Sequence, residues 1–294
     1  YEVIDLGGGA SDPMGVITGD FVFVGDLGRP DLLETAAGFA GTKEAGARTL
    51  GESARTFLKL PDHWQVWPAH GSGSACGKAL GAVPQSTIGY EKRYNPALLA
   101  APDEEAFVEF ILAGQPDPPY YFARMKQDNR DGVPLLGGLP RPEHYTAEQL
   151  TAVDTKTVAV IDTRIWDLFR RGHLAGSLKP LGGIGFLACM GSFITPDEDI
   201  VLIVERDRLE ETIRQLVRIG LDRIVGWTSP STLAVALESI GGGETIDEVP
   251  PGDVPAMRDA GAALLDVRLA SECVEGMVDG AVNIPYTRLL ARME

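Results

Sequence analysis

Two stretches of the C-terminal half repeat one another at a constant offset, and this repeat constrains the fold more than any other feature. Asp162 and Arg164 in "VIDTR" match Asp266 and Arg268 in "LLDVR", 104 residues further on. A glycine follows ten residues after each aspartate, and a second glycine follows four residues later. A repeat of this period predicts two tandem domains of one fold. The second copy reaches only Glu294, and we expect it to be incomplete.

Strands and helices alternate around this repeat. Apolar stretches at 157–164, 199–205 and 222–227 are typical of buried strands, and 208–221 has the apolar spacing of an amphipathic helix. Such alternation predicts an α/β domain with a parallel sheet.

The first 130 residues show a different sequence pattern, in which short apolar stretches lie between glycines and prolines. We predict one strand over 15–26 and another over 65–67. Residues 103–114 begin with acidic side chains and carry apolar residues at helical spacing, which predicts a helix. The Pro- and Gly-rich segment that follows is predicted to be an irregular arm.

The composition excludes several classes of protein. Asp and Glu number 42 against 26 Lys and Arg, for a net charge of −16, which disfavours nucleic acid and anionic membranes as partners. No apolar run approaches the ~20 residues of a membrane span. The 3 cysteines are too few and too scattered for a disulfide framework, so we expect a cytoplasmic protein.

The repeated motifs "DTRIWDLFRRGHLAGS" and "DVRLASECVEGMVDGAVNIP" resemble the rhodanese family. The resemblance implies that the Asp and Arg of each copy are structural, and that a catalytic Cys follows a later strand. In the first copy that strand is "DIVLIVE", and no Cys stands at or near Glu205, so this copy is expected to be inactive as a sulfurtransferase. Cys189 is interpreted as a buried structural thiol, and Cys273 lies too early in the second copy to be the loop cysteine.

Two residues near strand ends in the first region could bind a metal. Asp20 follows the apolar residues 15–19 in "TGD", and His70 follows 65–67 in "PAHG". Carboxylate and imidazole together suit Zn or Fe(II). The residues alone leave open that His70 is a surface or capping residue.

The wider motifs "TGDFVFVGDLGRPDLLE" and "LPDHWQVWPAHGSGSACGKALGA", with the arm "AGQPDPPYYFARMKQDNRDGVPLL", resemble the second half of the metallo-β-lactamase fold. They are most similar to the branch of persulfide dioxygenases and their rhodanese fusions. The resemblance implies that Asp20 is the carboxylate ligand of a mononuclear Fe(II). It places His70 beside the iron or at a second metal site, without a direct bond to the iron, whereas in hydrolytic relatives with two zincs this histidine binds metal.

The same resemblance implies further ligands that the sequence lacks. The family carries a His-x-His-x-Asp-His motif and one more histidine about twenty residues before "TGD". His63, His144 and His173 have neither that spacing nor that order. The missing histidine would fall at or before Tyr1, so we expect a chain cut at both ends.

Four more residues are candidates for the site. Arg29 and Asp31 in "GRPDL" are read either as residues that contact substrate or as an ion pair that fixes the loop. Cys76 and Lys78 lie in "GSGSACGK", where backbone N–H groups and a positive charge favour a thiolate. We predict that Cys76 is catalytic and can carry a persulfide, the alternative being a small residue that fills space, and that Lys78 attracts substrate.

The overall prediction is an α/β chain with the C-terminal part of a metallo-β-lactamase αββα sandwich over 1–142, a rhodanese-like domain over 143–245 and the start of a second over 246–294. The expected function is oxidation of a low-molecular-weight persulfide to sulfite at Fe(II), coupled to sulfur transfer. The alternatives are a dinuclear-zinc thiolesterase of the glyoxalase II type and a non-catalytic scaffold. The expected partner is a small persulfide or thiol, and a homo-oligomer is left open.

Overall fold

The computed structural model describes residues 1–35, 40–71, 78, 81–115, 117–183 and 185–292. The chain forms two compact units. The first comprises Tyr1–Pro118 and Leu269–Glu275, and the second comprises Pro119–Arg268 and Gly276–Glu294.

The first unit is built on a mixed sheet that packs against helices. Its strands are β1 (Glu2–Val3), β2 (Gly15–Gly19), β3 (Val22–Phe23), β4 (Asp26–Leu27), β5 (Gln65–Pro68) and β6 (Ser86–Thr87). Its first five helices are α1 (Leu32–Thr35), α2 (Lys43–Phe57), α3 (Ile88–Tyr94), α4 (Pro96–Ala100) and α5 (Glu104–Leu112).

The central strands of this sheet, β2 and β5, run parallel, with Val16 opposite Val66 and Ile17 opposite Trp67. Strands β1 and β6 flank them antiparallel, in the order β1-β2-β5-β6. The buried side chains of β2 and β5 pack with α2 and α5 in one core, in which Val66 and Phe107 are fully buried. The helix predicted over 103–114 is confirmed as α5, and the Asp103 side chain caps its first turn by accepting from the Ala106 N–H at 3.1 Å.

The single strand predicted over 15–26 is wrong, because the segment divides into three strands. Strand β2 ends at Gly19, and β3 and β4 then form a separate antiparallel hairpin. Gly19 has φ +57° and Gly25 has φ +82°, and these are backbone conformations that an extended strand does not contain. Gly19 and Gly25 therefore turn the chain at the two ends of the apolar residues 21–24.

The second unit contains a four-stranded parallel sheet in the order β7-β10-β9-β8. Its strands are β7 (Glu143–His144), β8 (Val158–Asp162), β9 (Asp199–Ile203) and β10 (Ile224–Thr228), and β11 (Leu265–Asp266) pairs with β12 (Val282–Asn283) in a further parallel pair. The remaining helices are α6 (Phe122–Asp131), α7 (Ala147–Thr151), α8 (Trp166–Arg171), α9 (Gly185–Phe193), α10 (Leu209–Arg218), α11 (Pro230–Ser239), α12 (Val254–Asp259) and α13 (Ala270–Cys273), the last of which falls in the first unit.

The predicted parallel sheet is confirmed, and so is the α/β fold class. Strand β9 lies at the centre, where Val201 and Leu202 are buried on opposite faces. Burial on both faces explains why this strand is continuously apolar rather than alternating. The arm over 119–142, assigned by sequence to the first domain, belongs to the second compact unit. The predicted limits of the three domains stay predictions.

The repeat reproduces its geometry atom by atom. In the first copy Arg164 Nη2 lies 2.6 Å from Asp162 Oδ2 and donates to the Gly172 carbonyl at 2.8 Å. In the second copy Arg268 Nη2 lies 2.6 Å from Asp266 Oδ2 and donates to the Gly276 carbonyl at 2.9 Å. Each guanidinium thus ties the end of a strand to the turn ten residues later.

Across the described ranges we find no helix with both the length and the apolar character needed to cross a membrane.

Candidate metal centre

Asp20 and His70 follow the C-terminal ends of the two parallel strands of the first sheet. Asp20 comes directly after β2, and His70 comes two residues after β5. The Ala69 N–H donates to the Gly19 carbonyl at 3.1 Å, which extends the pairing of the strands to the residues beside the two side chains. Neighbouring parallel strands end at the same edge of a sheet, so residues fifty apart in sequence are brought together there.

The two side chains approach closely without forming a hydrogen bond. His70 Nε2 lies 3.3 Å from Asp20 Oδ1. His70 Nε2 is nevertheless buried and has no hydrogen-bond partner in the described part of the chain. Two atoms that bind one metal at about 2.0–2.1 Å lie roughly 3.0–3.4 Å apart, which matches this spacing.

The surroundings of the imidazole direct a lone pair toward the carboxylate. His70 Nδ1 lies 3.2 Å from the Gly71 carbonyl, which can only accept, so Nδ1 carries the proton in the neutral ring. Nε2 is then the unprotonated nitrogen. The fully buried ring of Phe23 lies 4.5 Å from the imidazole, centroid to centroid, and fixes its plane. A lone pair that faces a carboxylate oxygen is repulsive unless a cation or proton lies between them.

The donor pair fits part of a metal site. The Asp20 carboxylate is exposed, whereas His70 is half-buried and its Nε2 atom is buried. No group of three or more His, Cys, Asp and Glu side chains is arranged to hold a metal within the ranges that the structure describes. Asp20 and His70 are therefore two candidate donors, fewer than the three protein ligands of a catalytic zinc site.

Two glycines shape the backbone that presents Asp20. Gly19, at φ +57°, turns the chain out of β2. Gly28 packs so closely on Asp20 that a Cβ atom there would lie 1.9 Å from the Asp20 carbonyl oxygen. The hydrogen bond from the Thr18 hydroxyl to the Val22 carbonyl, at 2.6 Å, closes the same turn. Sequence reasoning missed the role of Gly28, for which a "DLG" triplet gives no signal.

A buried polar network supports the hairpin that follows Asp20. Asp26 is buried, and its carboxylate accepts from the N–H groups of Leu27 at 2.8 Å and Lys78 at 2.9 Å. The Asp26 carboxylate thus joins the hairpin to the chain that returns from His70. Glu91 and Asn95 are fully buried behind it. The Asn95 amide donates to the Asp26 carbonyl at 3.1 Å and to Glu91 Oε2 at 2.9 Å.

Arg29 and Asp31 form a buried bidentate ion pair. Arg29 Nη2 lies 2.6 Å from Asp31 Oδ2, and Arg29 Nε donates to Oδ1 at 3.0 Å. The two side chains are 1% and 6% exposed. This geometry agrees with the reading of the pair as a fixed loop contact, and substrate binding by either residue stays a prediction.

The Lys78 ammonium is directed to the end of a helix. Nζ donates to the carbonyls of Phe110 at 2.5 Å and Ala113 at 2.9 Å, and it lies 4.0 Å from the centroid of the Phe110 ring. A cation at the C-terminus of α5 satisfies carbonyls that the helix leaves open. Burial lowers the pKa of this lysine, and the Asp26 carboxylate opposes that shift. An attraction of substrate by Lys78 stays a prediction.

The structure describes the environments of two of the three cysteines. Cys76, predicted to be catalytic, lies outside the described residues. Cys189 is buried, and its burial raises the pKa of its thiol above the ordinary value, as befits a structural residue. Cys273 is half-buried in the short helix α13.

In the second unit, the turn after β9 is where the sequence resemblance to rhodaneses implies a catalytic cysteine, and this turn carries glutamate and arginine instead. Strand β9 is followed by Val204, Glu205 and a 3₁₀ turn over Arg206–Arg208. A cavity of about 340 Å³ lies there, lined by Arg164, Glu205 and Arg208 among others. No thiol lines it in the described part of this unit. His173 lies away from it, buried and stacked on Phe169 with ring centroids 4.0 Å apart.

Comparisons with known proteins bear on the fold. The chain is similar to a solved metallo-β-lactamase from Staphylococcus aureus subsp. aureus COL, with 38% identity over 76% of this chain and a TM-score of 0.67. The chain spans 62% of the length of that protein. This likeness shows the metallo-β-lactamase fold and agrees with the sequence resemblance.

Weaker likenesses carry no argument. An EanB variant in complex with hercynine shares 16% identity, over 49% of this chain and 41% of that chain, at a TM-score of 0.31. A thiosulfate sulfurtransferase from Pseudomonas aeruginosa shares 14%, over 93% of this chain and 52% of that chain, at a TM-score of 0.27. No family model matches the chain, and a search of curated proteins found no match.

Proposed function

We propose that the intact protein is a metalloenzyme that oxidises a low-molecular-weight persulfide to sulfite, with Asp20 as the carboxylate ligand of a mononuclear Fe(II). In this reaction O₂ is the four-electron oxidant and water supplies the third oxygen atom, so that the outer sulfur leaves as sulfite and the carrier is returned as its thiol. When bound, the iron would supply open positions for the persulfide and O₂.

One observation supports the placement of a metal at this point. His70 Nε2 is buried, has no hydrogen-bond partner among the described residues and lies 3.3 Å from Asp20 Oδ1. Asp20 contributes negative charge toward a cation, and Phe23 and the Gly71 carbonyl hold the imidazole in one tautomer and plane. The tandem repeat of the second unit supports the persulfide as substrate, since a rhodanese-like domain handles the same class of sulfur.

The first repeat is not proposed to carry out the coupled sulfur transfer. The turn after β9 carries Glu205 and no cysteine, so this copy is proposed to act as a scaffold. Transfer then falls to another rhodanese domain of the intact protein.

The experiment measures oxygen uptake and sulfite from glutathione persulfide, together with the iron content of the purified intact protein. We expect about one iron per chain and sulfite in proportion to oxygen consumed. Asp20→Asn should lose iron and activity together, whereas Asp197→Asn, an exposed aspartate of the second unit, should leave both unchanged. Full activity and iron in Asp20→Asn would refute the proposal.

A second candidate function is a dinuclear-zinc thiolesterase, and one observation favours it. The lone pair of His70 is directed at Asp20, as expected when both bind metal, and in the hydrolase both are ligands. A bound zinc would activate water for attack on the thioester. Two zincs per chain, thioester hydrolysis and loss of both in His70→Gln would support this function over the first. Absence of metal and of both activities would leave a scaffold.

The proposed persulfide role of Cys76 has its own measurement. If Cys76 is a thiolate near the metal, it should be alkylated by iodoacetamide faster than Cys189 or Cys273 in the native protein. Equal or slower reaction of Cys76 would contradict the assignment.

A further inference from the structure

A cleft beside the parallel sheet of the second unit is separate from every residue discussed so far as a metal ligand. Its volume is about 550 Å³, within the range of small-molecule sites, and it lies beside the C-terminal ends of β9 and β10. The arm over 139–142 forms one wall, and the turn at Arg206 with the start of α10 forms the other. Ligands of open parallel sheets bind at this edge.

The floor of the cleft is aromatic and apolar. Trp227 near the end of β10 contributes its ring, only 5% exposed, and Leu139 and Ile213 flank it. The guanidinium carbon of Arg206 lies 5.7 Å from the Trp227 ring centroid, within reach of a cation–π contact. The His144 imidazole also lies 4.5 Å from the Trp227 ring, centroid to centroid, so the floor offers a ligand an apolar surface rather than a free aromatic face.

The charges of the cleft are unbalanced. Arg141 and Arg206 both line it, both are exposed, and neither forms an ion pair with a carboxylate in the parts of the chain that the structure describes. Glu210 also lines the cleft, but its Oε1 is held by Arg214 Nη2 at 2.6 Å. In a chain of net charge −16, two arginines in one cleft without a counter-ion mark a local positive potential.

We propose that this cleft binds a small organic anion, whose carboxylate or phosphate lies between Arg141 and Arg206 and whose apolar body lies against the floor formed by Leu139, Ile213 and Trp227. A guanidinium pairs with either group through two parallel hydrogen bonds. The apolar floor stabilises the body of the ligand by removing apolar surface from water.

The test uses nuclear magnetic resonance of the intact protein, titrated with benzoate, phenyl phosphate and the neutral analogue benzamide. The chain has 4 tryptophans, so the indole ¹⁵N–¹H signal of Trp227 is identified by its loss in Trp227→Phe. We expect saturable shifts of this signal with one or both anions and none with benzamide. The stronger of the two anions identifies the head group as carboxylate or phosphate.

Variants separate the proposal from non-specific binding. Arg141→Gln and Arg206→Gln should each weaken the better anion about fivefold, as the loss of an exposed charge pair predicts. Arg171→Gln, which removes an exposed arginine outside the cleft, should leave the affinity unchanged. Far-ultraviolet circular dichroism confirms that each variant is folded. Equal affinities for benzamide and the anions, no binding of either anion, or wild-type affinity in both cleft variants would overturn the proposal.

Discussion

Replacement of the motif arginine by methionine, made once in each repeat, should destabilise the second unit by very different amounts. The two ion pairs share their shortest distance, 2.6 Å, and their accepting carbonyl ten residues after the aspartate. They differ in burial. Arg164 and Asp162 are 10% and 0% exposed, whereas Arg268 and Asp266 are 46% and 12% exposed.

Burial sets the expected magnitude of each change. Arg164→Met leaves the Asp162 carboxylate in the core without its guanidinium, and removal of one partner of a buried pair costs about 3–5 kcal/mol. Arg268→Met removes a pair that water already screens, for which about 0–1 kcal/mol is expected. Each variant also removes the donor to its turn carbonyl, and this loss costs more at Gly172, where the contact is partly buried, than at Gly276, where it is exposed.

The assay is urea unfolding with hydrogen exchange, measured on peptides from β8 for Arg164→Met and from β11 for Arg268→Met, so that each substitution is followed on the strand that its arginine contacts. If Arg164→Met does not fold, Arg164→Lys is the substitute, because it keeps the charge and loses the bidentate contact. Its free energy of unfolding should be lower than that of the wild type but sufficient for folding. Equal destabilisation by Arg164→Met and Arg268→Met would refute the argument from burial.

Two further predictions concern the first unit. Gly28→Ala should displace the Asp20 carbonyl by about 1 Å, since its Cβ would lie 1.9 Å from that oxygen, and should lower both metal affinity and stability by ~1–3 kcal/mol. Gly138→Ala, where a Cβ meets no atom within 4 Å, is the control, and equal urea midpoints and metal content in the two variants would contradict the prediction. Asp62 accepts from Lys92 Nζ at 2.7 Å, and this hydrogen bond and charge lower the pKa of its carboxyl below 3.8. The contribution of this ion pair to stability is therefore present above pH 3.8 and lost as the pH falls through the lowered pKa. Asp62→Asn should reduce the decrease in urea midpoint that the wild type shows between about pH 5 and pH 2. An unchanged decrease would contradict a contribution from the pair.

The sequence predicted the parts of the candidate site that depend on strand ends. Asp20 and His70 each follow an apolar strand, and the adjacency of those strands is enough to bring the side chains together. The structural role of the Asp-Arg motif could be predicted equally well, because its contacts lie within about ten residues in sequence. These features are local or follow from one pairing of strands.

Other features depend on tertiary contacts that no local pattern reveals. Lys78 stands in a Gly- and Ser-rich loop, which indicated a role toward substrate, yet its ammonium reaches carbonyls of α5 more than thirty residues away. Glu91 and Asn95 lie in "EKRYN", a polar stretch that predicts an exposed surface, but both are fully buried against the hairpin. Their burial follows from the close packing of α3 and α4, which the sequence does not indicate.

The pairing of β2 with β5 sets which parts of this chain can change in evolution. Helix α2 and its connections carry the polypeptide from the first donor strand to the second, yet the distance between Asp20 and His70 is determined by the alignment of Val16 with Val66. Residues could be inserted or deleted in the connections of α2 at small entropic cost without moving either donor, provided that the hairpin of β3 and β4 beside Asp20 is kept. A slip of one residue between the strands would instead point one donor to the other face of the sheet, so selection should tolerate length variation in the crossover and none in the register.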